Sequence, residues 1–163
     1  MAEYGVKLAG ALLLLLAAGW YGWNGIREER QRLRELEALW ELVRFVRSNI
    51  GNFARPLPEI YADFRNAVLE ADGFLPILRE KGAEEALRSC RIPRRDAEVG
   101  RIMEGFARGI GKGYQAEEEK LCSYTEERLA ELLGKRRGET ADREKLYRTI
   151  PMMLALSAAL ILI

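Results

Sequence analysis

The residues that come closest to chemistry lie in one short loop, Gly109-Ile110-Gly111-Lys112-Gly113. Glycine amides beside a lysine are the right groups for holding a phosphate. The order is wrong for a P-loop, which needs four residues between its first glycine and Gly-Lys-Ser/Thr. Tyr114 stands two places after the lysine, no strand precedes it, and the acidic run Glu117-Glu118-Glu119 follows. The loop therefore reads as the turn that ends one helix and opens the next. Nothing else supplies a catalytic set. The chain has no histidine, which removes the commonest general acid/base and the commonest metal ligand together. Glu117 to Glu119 and Glu126-Glu127 read as solvated helix faces. Cys90 and Cys122 lack a CxxC spacing and read as two buried thiols in a reducing compartment; a disulfide would need an oxidising one. No catalytic, cofactor or metal site is expected.

Composition narrows the class further. Of 163 residues, 26 are basic and 25 acidic. Setting aside Glu3, Lys7 and Arg148 leaves 24 of each between Arg27 and Tyr147. A balanced domain lacks the electrostatic footprint of a nucleic-acid binder.

The elements around that loop read as helices. Ile26, Leu33, Leu36, Trp40, Val43, Val46 and Ile50 recur at spacings of three, four and seven, with Leu39, Leu42 and Phe45 widening the stripe. Gly51, Asn52, Pro56 and Pro58 punctuate the chain. A second helix should carry Leu57, Ile60, Tyr61, Phe64, Val68 and Leu69. Asp72 is a fair N-cap for a short helix through Phe74, Ile77 and Leu78, and Ala83 to Cys90 adds two turns before Ile92-Pro93. Asp96 can cap a helix bearing Val99, Ile102, Met103, Phe106 and Ile110. Gly100, Gly105 and Gly109 weaken that helix, which suggests a close neighbour. A longer helix starts near Tyr114, with Gly134 and Gly138 leaving its continuity open. The fold class is all-α: an antiparallel bundle of about five to six helices.

Both ends are apolar. Leu8 to Trp23, and Tyr147 to Ile163 without a charge after Arg148, each approach the ~20 residues that cross a bilayer core. A signal peptide competes at the front, and a hairpin buried against the soluble part competes at the back. The expected division is a membrane segment at 1–26, a helical domain at 27–146 and a second membrane segment at 147–163. Lys7 alone precedes the first segment, whereas Arg27, Arg30, Arg32 and Arg34 follow it. Lys135, Arg136, Arg137, Arg143, Lys145 and Arg148 precede the second. The positive-inside rule then places the domain in the cytoplasm.

The order of these features resembles the stage III sporulation protein AB family of endospore-forming bacteria. The resemblance rests on the N-terminal apolar segment, the arginine- and leucine-rich first helix, and Ile50 followed by Pro56-Leu57. It continues through the turn from Phe106 to Gly111 that opens a long acidic helix, and the tyrosine-led terminus Tyr147 to Ile163. It implies a helical bundle similar to the platform proteins of type II secretion and type IV pili. It further implies a non-enzymatic platform in the channel between mother cell and forespore, set in the mother-cell membrane. The partners it implies are the stage III sporulation protein AA ATPase and other channel subunits, and it admits a homo-oligomer. A membrane-tethered helical scaffold outside sporulation is the alternative. The docking surface is placed at the two helix interruptions, Pro56-Leu57 and Gly111-Lys112-Tyr114.

Overall fold

The computed structural model describes the backbone of residues 2–53 and 55–162, and among these every regular element is a helix. In chain order they are α1 (Ala2–Phe53), α2 (Leu57–Asp63), α3 (Ala67–Ala71) and α4 (Phe74–Lys81). Then follow α5 (Ala83–Ser89), α6 (Ile92–Arg95), α7 (Ala97–Gly109) and α8 (Gln115–Leu162). The chain divides into two compact units, one of Met1–Gln31 with Arg136–Ile163 and one of Arg32–Lys135.

The Arg32–Lys135 unit is built on one apolar core. From α1 it takes Leu36, Leu39, Val43, Val46 and Ile50, whose alternating steps of three and four keep them on one helix face. Trp40 and Leu33, expected on the same face, sit at its edge and are partly buried. Phe74, Leu75 and Leu78 of α4, Met103 and Phe106 of α7, and Leu129, Leu132 and Leu133 of α8 pack into the same core, with further residues from the short helices between them.

Where the chain departs from the sequence reading, local hydrogen bonds explain it. One helix was expected from Leu57 to Leu69, but it divides into α2 and α3. Asn66, extended at φ −155°, accepts hydrogen bonds on its side-chain oxygen from the amides of Val68 and Leu69. A side chain that takes up amides this way starts a new helix rather than continuing an old one. The open end of α2 is closed by Arg79, which donates to the carbonyls of Tyr61 and Phe64 and pairs with Glu70 at 2.9 Å. Asp72 does not cap α4. Gly73, at φ +79°, takes that position, and Asp72 instead accepts from the amide of Ile92 at 3.5 Å. Pro93 does not break the chain but lies in the first turn of α6, where a missing amide hydrogen costs little. Asp96 caps α7 as expected, accepting from Glu98 and Val99.

α8 runs unbroken through Gly134 and Gly138. Cys90 and Cys122 are free and buried. Burial pushes the Cys122 thiol up to about 12, with the Glu118 carboxylate adding to the effect. Burial likewise raises the Tyr61 phenol, whose hydroxyl has no hydrogen-bond partner among the described residues.

In the other unit, Glu29 pairs with Arg143 and Arg30 with Glu144, each at 2.7 Å. Two arginines counted above toward membrane orientation are thus matched by carboxylates. Among the described residues, no helix is long and apolar enough to cross a membrane. Most of the side chains on which the two expected spans rest lie outside the described residues.

Candidate functional site

The two helix interruptions singled out from the sequence meet in the Arg32–Lys135 unit. Pro56 is the exposed N-cap of α2 at φ −65°, and Leu57, the first residue of that helix, is half-buried against the core. Gly111 has φ +79°, and a β-carbon there would stand 2.9 Å from Cδ1 of Leu57. The turn after α7 therefore needs glycine twice over: for its left-handed backbone and for the leucine lying across it.

Gln115 fixes the same end from α8, its side-chain amide donating to the carbonyl of Ile50 at 2.9 Å. That carbonyl belongs to the last turns of α1, where helix carbonyls lack intrahelical partners. The start of α8 is held by Glu117, whose carboxylate accepts from the amide of Tyr114 at 3.3 Å. This is the returning half of a capping box, with a carboxylate at the third helical position. Tyr114 itself projects into solvent with 83% of its surface exposed.

Lys112 points elsewhere. Its Nζ lies 3.1 Å from Oε1 of Glu84, in the first turn of α5. The hydrogen bond and charge of Lys112 hold the Glu84 carboxyl below its ordinary range. A lysine so placed ties the turn to α5 and is not reaching toward a phosphate. Of the five residues expected to form an interface, then, Leu57 and Gly111 build the turn and Lys112 braces it. Pro56 and Tyr114 are what it presents.

Gln115 and Glu84 were missed by reading the sequence. Their partners stand 65 and 28 positions away, and no local pattern announces a contact at such separations. Glu117 carried a signal, since a carboxylate three places after a helix start is a capping position.

Residues 7–81 match the family model of stage III sporulation protein AB. That stretch belongs to the family. No curated protein and no solved structure matches the chain. The stage III sporulation protein AB match takes in α1 from Lys7 onward, α2, α3 and α4, and with them Pro56 and Leu57. Gly111, Lys112 and Tyr114 lie beyond it, as do the turn from Phe106 and the terminus from Tyr147. The family matched by that stretch is a sporulation family, and it is not a known enzyme family.

Proposed function

We propose that this chain is a non-enzymatic platform subunit of the sporulation channel between mother cell and forespore. It sits in the mother-cell membrane and docks a cytosolic ATPase on its Arg32–Lys135 unit. The stage III sporulation protein AB match over residues 7–81 carries this reading. Two observations support it. Leu16, Trp20, Ile150 and Met153 are large apolar side chains that stand more than half exposed, a pattern suited to lipid rather than water. The Arg32–Lys135 unit also presents an exposed aromatic, Tyr114, on a turn braced by Leu57, Lys112 and Gln115. A tyrosine on a braced turn makes a good partner anchor, because its ring offers a large contact area with only two side-chain torsions to fix on binding.

The test is capture of the stage III sporulation protein AA ATPase from the same bacterium by the full-length chain in detergent. Wild type should retain the ATPase, and Tyr114→Glu should lower retention by about tenfold, the effect of losing one interfacial anchor. Retention unchanged by Tyr114→Glu would remove the docking surface from this turn. No retention by wild type would sink the docking role itself, and recovery of the chain in the soluble fraction would sink the membrane assignment.

A further inference from the structure

One side of α8 carries a pattern that contacts within its own chain use only in part. Glu117, Leu121, Tyr124 and Arg128 follow each other at intervals of four, three and four, which places them on a single stripe. Leu121 is half-buried and the other three are exposed, Tyr124 at 63%. The spacing reads the same in both directions, with two apolar residues inside, a carboxylate at one end and a guanidinium at the other. Leu121, Tyr124 and Arg128 also form one wall of a groove of about 350 Å³, whose α7 wall includes Arg101, Ile102 and Gly105.

Gly105 gives this groove its depth. A glycine inside a helix costs up to ~1 kcal/mol relative to alanine, and a β-carbon at Gly105 would meet nothing within 4 Å. No contact among the described residues requires it. Gly109, four residues on, is different, because a β-carbon there would stand 2.6 Å from Cδ2 of Leu121.

We propose that the groove receives the same stripe from a second copy of the chain, with the two α8 helices antiparallel about a two-fold axis. In that register Glu117 faces the partner's Arg128, and Leu121 faces the partner's Tyr124. The two-fold repeats both contacts in the opposite sense, as an isologous interface must. Lys120 and Glu127, both exposed, flank the stripe seven residues apart on one side. Antiparallel pairing brings Lys120 opposite the partner's Glu127 and adds a second complementary charge pair. Arg128 is already paired with Glu131 at 2.8 Å and keeps 44% of its side chain exposed. Its five donors can serve both carboxylates. The space left by Gly105 admits the ring of the partner's Tyr124.

Sedimentation equilibrium of the full-length chain in detergent micelles tests this pairing without any other protein. Wild type should form dimers. Glu117→Arg and Arg128→Glu should each weaken dimerisation by about tenfold or more, because each sets like charges against one another at both ends of the seam. An equimolar mixture of the two variants should recover it, since every charge then faces its opposite. Glu117→Arg also removes the acceptor of the Tyr114 amide, so Tyr124→Ala and Gly105→Leu probe the seam without touching that cap. Circular dichroism checks that each variant is folded. A wild-type chain that stays monomeric overturns the proposal. So does a mixture that associates no better than its components, or a dimer indifferent to Tyr124→Ala and Gly105→Leu.

Discussion

Beyond the end of α7, a β-carbon on Gly111 would stand 2.9 Å from Leu57, whereas one on Gly105, in the middle of that helix, would meet nothing within 4 Å. The first region is closed by its own chain: the leucine lies over the glycine, and the backbone at φ +79° suits no other residue well. The second is open, with a half-buried leucine and an exposed tyrosine around it. The contrast separates two reasons for a glycine. One is needed to complete the fold, while the other keeps a surface concave.

The same substitution therefore has opposite signs at the two positions. The largest effect belongs to Gly111→Ala, which should destabilise the protein by about 2 kcal/mol. Left-handed backbone costs ~1–2 kcal/mol for a residue with a β-carbon, and displacing the methyl of Leu57 adds to it. Urea denaturation should show a lower midpoint with an unchanged slope. A midpoint equal to that of wild type would mean that the turn is not held as closely as its geometry indicates.

How much of this was legible beforehand depends on the range of the interaction. The α1 stripe from Leu36 to Ile50 could be read because helical spacing is itself the signal, and Asp96 because a cap acts on amides two and three places away. Asp72 misled because its sequence context suits a cap equally well, but Gly73 took the position and left the carboxylate free for Ile92. The split between α2 and α3 was hidden for a related reason: Leu57 to Leu69 keeps helical periodicity across a boundary that one asparagine side chain decides. At the candidate interface, the sequence identified the two interruptions but not that they touch. Leu57 and Gly111 are brought together by the packing of the helices between them, and spacing does not report packing. Three glycines in α7 suggested a close neighbour; the structure supplies one at Gly109 and none at Gly105.

Gly105→Ala sharpens the same comparison from the other side and should stabilise the folded monomer by about 0.5–1 kcal/mol, the helix-propensity difference between the two residues. Thermal or urea unfolding at low protein concentration isolates this from any association. Destabilisation would show that the groove is tighter in solution than its 350 Å³ implies, and Gly105 would then join Gly111 as a residue required by its own fold.

The smallest effect concerns what braces the closed region. Lys112 and Glu84 are 65% and 44% exposed, so water and salt screen their attraction and its contribution is modest. Its sign with pH is nonetheless fixed. Lys112 lowers the folded-state affinity of Glu84 for its proton, so the pair contributes stability while the carboxylate is ionised. That contribution is present above the ordinary glutamate range, roughly pH 4 to 5, and is lost as pH falls through the lower folded value. Lys112→Ala should therefore destabilise slightly at pH 7 and converge with wild type at acidic pH, or in molar salt at neutral pH. A deficit that persisted under both conditions would assign Lys112 a packing role through its methylene stem, since only the charge is removed by acid or screened by salt.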